Sequence, residues 1–194
     1  MTMAQGTQVR IVAGGAFGRA VAHHLRALLA YARRPVEVAR EPMRVPPGRF
    51  VAGGAFAVRA AWRDVGAEFE AFATAAGQAR VPWLPVAMGH PYLRVGPAVV
   101  PGVSPCHACY LTRARQHGTS ADPALEEAMT ADDKLGVRGF PPHLSMLAAG
   151  LALSLIRDAE AGRAGRIMTI DTRTDEVNSW RVVPCHGCPG CDER

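Results

Sequence analysis

The five cysteines of this 194-residue chain fall into a pattern: Cys106 and Cys109 form one Cys-x-x-Cys pair, Cys188 and Cys191 form a second, and Cys185 stands three residues before Cys188. A Cys-x-x-Cys turn lets two thiolates converge on one ion from a single backbone loop. Two such turns complete the closed tetrahedral sulfur shell that structural zinc prefers. Turn-forming residues support both knuckles, with Ser104-Pro105 before the first and Pro189-Gly190 inside the second. The spacing therefore assigns Zn2+ to Cys106, Cys109, Cys188 and Cys191. Cys185/Cys188 is a competing pair, and His107 and His186 are alternative ligands. A single pair would fit a redox dithiol, but two pairs far apart in the chain favour a metal clasp. Four thiolates leave no open coordination position, so the ion ties chain segments together and does not activate water.

A second pattern with chemical potential is Ala13-Gly14-Gly15-Ala16-Phe17-Gly18, the GxGxxG dinucleotide fingerprint with its first glycine replaced by alanine. A strand before it and a helix after it would aim helix N-terminal amides at an anion held over Gly14, Gly15 and Gly18. Glu37 or Glu41 stands where such sites carry an acidic residue for a ribose. The same turn also serves plain strand-to-helix packing. The hexapeptide VAGGAF recurs at residues 51–56, but Phe56, Val58, Ala60 and Trp62 then alternate in strand periodicity, and Ala57 stands where the first copy has Gly18. The flanks differ, so the repeat reads as coincidence in an Ala/Gly-rich chain.

The elements that must position these residues alternate between strand and helix. QVRIVA (8–13) is a strand, 17–31 a helix with Val21, Leu25, Leu28 and Leu29 on one stripe, and VEVA after Pro35 a second strand. EPMRVPPGRF reads as a proline-rich connection and 50–62 as a strand region interrupted at its glycine pair. Glu68 to Gln78 is a helix with Phe69 and Phe72 toward the core, and VPWLPVAM (81–88) a buried strand. A strand from Tyr92 leads to the first knuckle and a helix opening at Tyr110, whose Arg113, Arg115 and His117 read as a solvated face. Residues 117–142 are polar and Pro/Gly-punctuated and are expected to form a flexible loop. A helix resumes at Pro142 and runs through Ile156, and the chain ends as a hairpin that delivers the second knuckle.

Composition bounds the function classes. With 48% apolar and 20% charged residues the chain is an ordinary core-bearing protein. It has no run of about 20 apolar residues, and its first residues carry no export signal, which points to the cytoplasm and away from a membrane. The formal charge of +5 comes from arginines interspersed with Asp and Glu and not from a basic block, which argues against nucleic acid. Lys134 is the sole lysine.

VPWLPV (81–86), LRVGPAVVPGVSPCHACYLTRARQ (93–116) and the terminal CPGC (188–191) together resemble the ThiF-like, ubiquitin-activating-type proteins found beside YcaO enzymes in the biosynthesis of azole- and azoline-containing ribosomal peptides. These are named cyclodehydratase components or precursor leader peptide-binding proteins. The most specific stretch runs from Val95 to Cys109. The resemblance implies an α/β, Rossmann-like adenylating fold filling residues 1–194 as one domain. Its mostly parallel sheet is flanked by helices and followed by a C-terminal hairpin and a four-cysteine zinc site. It also implies partners: a YcaO-type cyclodehydratase that uses ATP to close Cys, Ser or Thr side chains onto the preceding carbonyl, the precursor peptide, and a second copy of the chain. Two departures shape the expectation. The family's N-terminal winged-helix leader-binding domain has no counterpart before the strand near residue 8, so a separate leader-binding protein is expected. Ala13 replaces a loop glycine, the sole lysine lies in the 117–142 loop, and arginine does not substitute for a point-charge lysine at a triphosphate. The expectation is thus an accessory scaffold with no catalytic residue and with adenylation lost. The alternative is an active ATP-dependent adenylating enzyme of the ThiF type, and a zinc-stabilised nucleic-acid module is disfavoured.

Overall fold

The computed structural model describes residues 8–41, 47–117 and 123–192. Among the described residues, seven helices and seven strands follow one another as β1 (Val9–Ala13), α1 (Gly15–Tyr31), β2 (Val36–Arg40), α2 (Pro47–Val51), β3 (Phe56–Ala61), α3 (Gly66–Gln78), β4 (Trp83–Gly89) and β5 (Tyr92–Val95). The chain then forms α4 (His107–Gln116), α5 (Pro123–Ala131), α6 (Pro142–Glu160), β6 (Arg166–Asp171), β7 (Val177–Arg181) and α7 (Pro189–Asp192). The strands form one sheet in the order β2-β1-β3-β4-β5-β6-β7. β2, β1, β3 and β4 run parallel, while β4/β5, β5/β6 and β6/β7 are antiparallel. The mostly parallel sheet expected from sequence is therefore a mixed one, because tight connections at 89–92 and 171–177 reverse the chain without a crossover helix.

Side-chain alternation sorts the core onto two faces. Val9, Ile11 and Ala13 of β1, Phe56, Val58 and Ala60 of β3, and Leu84, Val86 and Met88 of β4 turn toward α1 and α6. Val12, Ala57, Ala61, Trp83 and Ala87 turn toward α2 and α3, where they meet Phe50, Phe69, Phe72 and Ala76. With helices on both faces, all six residues of β3 are buried. The backbone of α1 lies so close to β3 that a side chain at Gly18 would collide with the Ala60 carbonyl oxygen.

Three expectations need correction. The strand region at 50–62 is a strand only from Phe56, because residues up to Val51 close the short helix α2 and turn through Gly53-Gly54. The connection at 41–50 likewise contains the start of α2, with 42–46 outside the described residues. The loop expected over 117–142 contains α5 and is pinned at two places: Gly136 lies against the Trp62 ring, and Phe140 packs edge-on against Phe17 at 5.1 Å. Residues 118–122 lie outside the described residues. The low apolar content of this segment concealed the anchors that hold it, which come from elsewhere in the chain. Among the described residues no helix is long and apolar enough to cross a membrane.

The end of α6 is joined to β6 through Asp158, which accepts hydrogen bonds from Arg163 (2.7 Å) and Arg166 (3.2 Å). The bond from Arg163 holds the Asp158 carboxyl below its ordinary range, against the opposing effect of burial and with help from Arg166. A carboxyl whose folded-state value is depressed stabilises the fold above its unfolded value and loses that contribution as pH falls through the folded one. Asp158→Asn is therefore expected to cost about 1 kcal/mol at neutral pH. Urea midpoints of the two proteins should converge as pH falls below the ordinary carboxylate range.

Candidate metal centre and arginine-lined crevice

The first knuckle is set by a turn at the end of the sheet. Ser104, 5% exposed, accepts the Val100 N–H on its hydroxyl at 2.8 Å, and the chain enters α4 with extended backbone at Cys106. Cys106 and Cys109 are thus one helical turn apart at the amino end of α4, where unpaired helix amides favour thiolates. The helix opens at His107, a turn earlier than the Tyr110 start read from sequence. The second knuckle follows β7. Its last turn is α7, with the Cys191 N–H donating to the Cys188 carbonyl at 2.9 Å. Arg115 and His117 are exposed, and the half-exposed Arg113 does more than solvate its helix: its guanidinium donates to the carbonyls of Val183 (3.4 Å) and Pro184 (3.0 Å), strapping the incoming chain to α4.

The four sulfurs of Cys106, Cys109, Cys188 and Cys191 all lie within 4.8 Å of one another. Cys106 to Cys188 and Cys109 to Cys191 are each 3.5 Å apart, and Cys106 to Cys109 is 3.8 Å. An ion bound tetrahedrally with metal–sulfur bonds of about 2.3 Å sets neighbouring sulfurs about 3.8 Å apart, so the group fits a four-thiolate ion. Cys185 is outside the four but touches them, its backbone N–H donating to the Cys109 sulfur at 3.3 Å. Burial pushes the Cys109 thiol up, but the Cys185 amide and the thiols of Cys188, Cys191 and Cys106 outweigh it and bring the group down to about 7. Burial raises Cys106 and Cys188. His186 is exposed. His107, 3% exposed, packs its ring against Trp83 (5.2 Å), Tyr110 (5.6 Å) and Phe69 (6.3 Å) and belongs to the core, not to the sulfur group. Burial, and next the charge of Arg94, pull its imidazole down to about 3, so it is neutral.

The glycine turn lies where the chain leaves β1, between neighbours β2 and β3 whose connections run in opposite directions, the position at which α/β sheets open a ligand crevice. Here the crevice is filled by the chain itself. A side chain at Gly14 would strike Glu41, and one at Gly15, whose φ is +66°, would strike the Trp62 ring. Arg59, 6% exposed, reaches Glu41 on one side and Glu68 (2.8 Å) on the other. Arg63 donates to Glu68 (2.6 Å) and to the carbonyls of Met129 (2.6 Å) and Asp132 (2.9 Å) at the end of α5. Arg94, 4% exposed, holds Asp64 through its Nε at 2.7 Å and the Gly96 carbonyl at 2.8 Å. Glu37, the other acidic candidate, is paired with Arg10 at 3.1 Å on the outer strand.

The crevice and the sulfur group are joined by stacked rings. Phe69 lies under both Arg59 (5.3 Å) and Arg94 (5.1 Å), Arg94 also lies over Tyr110 (4.8 Å), and Tyr110 is on α4 between the two groups. Trp62 is flanked by Arg63 (5.5 Å) and Arg138 (5.4 Å). Sequence reasoning identified Glu41 but missed Arg59, Arg63, Asp64, Glu68 and Arg94. Their one local signal is the spacing Arg59-x-x-x-Arg63-Asp64-x-x-x-Glu68, which looks like ordinary charge scatter until β3 and α3 bring it together.

No protein-family model matches the chain, and no curated protein matches it. Its likeness to known proteins is structural. The heterocyclase TruD aligns with a TM-score of 0.66 at 19% identity, covering 96% of this chain and 28% of that one. Escherichia coli MccB aligns at 0.64 and 13% identity over 96% of this chain and 65% of its own, and a chain of the E. coli microcin synthetase McbBCD complex at 0.67 and 12% over 96% and 69%. This chain thus spans little more than a quarter of TruD and just under two thirds of MccB. At these identities the likeness shows a shared fold alone, which in this chain is a seven-stranded mixed sheet flanked by helices with four cysteines gathered at one end.

Proposed function

We propose that the chain is a cytoplasmic accessory scaffold of the ThiF type. In this reading it docks a YcaO-type cyclodehydratase and its ribosomally made precursor peptide, carries one structural zinc ion on Cys106, Cys109, Cys188 and Cys191, and no longer adenylates. The likeness to a heterocyclase and to microcin synthetase components supports the setting. The observation that carries the loss of adenylation is the self-filled crevice. Trp62 and Glu41 stand over Gly14 and Gly15, and Arg59, Arg63 and Arg94 are matched by Glu41, Glu68 and Asp64. A triphosphate needs uncompensated cationic donors, and among the described residues Arg59, Arg63 and Arg94 beside the turn are each already paired with a carboxylate. Gly14, Gly15 and Gly18 are on this reading kept for packing.

Zinc would supply cross-linking and charge balance among four thiolates, with Cys185 lending an amide to Cys109. Isothermal titration with magnesium and ATP is expected to give no binding heat at millimolar nucleotide. Tight magnesium-dependent binding would overturn the scaffold reading in favour of an active ThiF-type adenylating enzyme. Affinity capture with the tagged chain is expected to retain a YcaO-type enzyme. Metal analysis of reduced protein is expected to find one zinc per chain.

A further inference from the structure

Of the five cysteines, Cys185 is the one outside the four-sulfur group, and the fold holds it against that group. Its backbone N–H donates to the Cys109 sulfur at 3.3 Å, and its own sulfur lies 3.8 Å from the Cys109 carbonyl oxygen. The Cys109 sulfur and the Thr112 side chain are both within hydrogen-bonding reach of the Cys185 thiol. These contacts do not depend on an ion. Arg113 clamps the carbonyls of Val183 and Pro184, so the residues just before Cys185 are fastened to α4, the helix that also carries Cys109. Beyond Cys185 the chain bends at Gly187, whose φ is +67° and around which there is open space, before it reaches Cys188 and Cys191. Access separates the five sulfurs. Cys109 is fully buried and Cys188 and Cys191 are 7% and 8% exposed, whereas Cys106 and Cys185 are half-buried. Cys106 is one of the four that would hold an ion, which leaves Cys185 both reachable and uncommitted. A thiol so placed is open to oxidants, and a thiol beside it turns the first oxidation product into a disulfide.

We propose that Cys185 is a site of modification by hydroperoxides, and that its oxidation opens the sulfur clasp by drawing Cys109 into a Cys109–Cys185 disulfide. In the first step the Cys185 sulfur attacks one peroxide oxygen: an S–O bond forms, the O–O bond breaks, and the thiol proton leaves with the other oxygen as water or alcohol. In the second step the Cys109 sulfur attacks the Cys185 sulfur: the S–S bond forms, the S–O bond breaks, and the departing hydroxide takes up a proton as water. Two electrons leave the pair of sulfurs and are taken up by the peroxide. Cys109 is thereby withdrawn from the four, and three thiolates no longer make the closed shell that a structural ion needs. The Arg113 strap and the new disulfide keep residues 183–185 on α4, while the segment from Cys188 onward is freed to hinge at Gly187. A dithiol reductant reverses the change. The proposal rests on the reading of the four sulfurs as an ion site.

The test treats the full, zinc-loaded chain, freed of reductant, with hydrogen peroxide. Zinc release is followed with a chromophoric chelator, and the product is mapped by tandem mass spectrometry. The wild type is expected to release zinc as a disulfide forms between positions 109 and 185, and to take zinc up again after dithiothreitol. Cys185→Ser is expected to release zinc at least about tenfold more slowly. The urea midpoint of the oxidised wild type is expected to lie above that of reduced chain stripped by chelator, because the disulfide closes the loop between the two positions. Equal release rates with and without Cys185 would overturn the proposal. So would a first disulfide confined to Cys106, Cys109, Cys188 and Cys191, or a Cys185 that passes to sulfinic acid with no disulfide. Should Cys185→Ser fail to fold, the disulfide map of the wild type decides the matter. A reduced chain found free of zinc by metal analysis defeats the ion-site reading and this proposal together, whereas a loaded chain indifferent to Cys185 defeats this proposal alone.

Discussion

Exchanging Cys188 for serine is expected to release the ion and lower stability by more than about 4 kcal/mol, because ligand capture and folding of this half of the chain are one process. Cys188 and Cys191 belong to the segment after β7 and Cys106 and Cys109 to the start of α4, so an ion held by the four would tie the chain's end to the sheet. Without it, four sulfurs crowd together in a small cluster: among the described residues Cys109, Cys188, Cys191, Ile167 and Val182 are its buried members, with Cys106, Tyr110 and Cys185 packed against them and the Arg113 strap beside them. A chelator should act like the substitution. Acid should do so as well, since the cysteine thiols must shed their protons to bind an ion and regain them as pH falls. Released zinc followed with a chromophoric chelator, read beside far-ultraviolet circular dichroism, checks both. Cys185→Ser is the matched control. Its contact with Cys109 is made by the backbone amide, which serine keeps, so metal content should stay at one per chain and stability should change by less than about 1 kcal/mol.

Arg59→Met should produce the second large effect, a loss of about 2 to 4 kcal/mol. Arg59 is deep in β3, with the Phe69 ring against its guanidinium and Glu41 and Glu68 on either side. Removing it leaves Glu41 beside the glycine turn without its partner and Glu68 held by Arg63 alone. Both remain about one-third exposed and can partly rehydrate, which keeps the cost below that of a fully buried pair. A double-mutant cycle with Glu41→Gln isolates the pair: the double variant should be clearly more stable than the two single losses added together. Strict additivity in denaturant midpoints would mean that the two side chains do not interact.

The alternating strand and helix order was legible because β1, α1, β2, α3, β4 and α6 each carry an undiluted apolar period. The cysteine pairs were legible because the chemistry of a knuckle is written in four adjacent letters. The short helix α2 was lost because glycine and proline dominate residues 47–54, and those residues signal turns in isolation while packing of Phe50 and Val51 against α3 holds them in a helix. α5 was missed for a related reason: its anchors, Arg63 and Trp62, belong to a segment some 66 positions earlier. The arginine crevice was illegible for a deeper one. A buried ion-pair network is defined by which charges meet, and neither Arg59 nor Arg94 differs in the sequence from the many arginines at the surface.

The three tryptophans of this chain happen to stand at three separate stations. Trp83 is sealed beside His107 on the metal side of the sheet, Trp62 is wedged between the glycine turn and Gly136, and Trp180 looks outward from β7. Their emission should therefore be spectrally distinct, blue for the first, quenched by stacked guanidinium groups for the second and red for the third. Double tryptophan-to-phenylalanine variants would turn the protein into its own set of optical gauges, one each for clasp, crevice and edge.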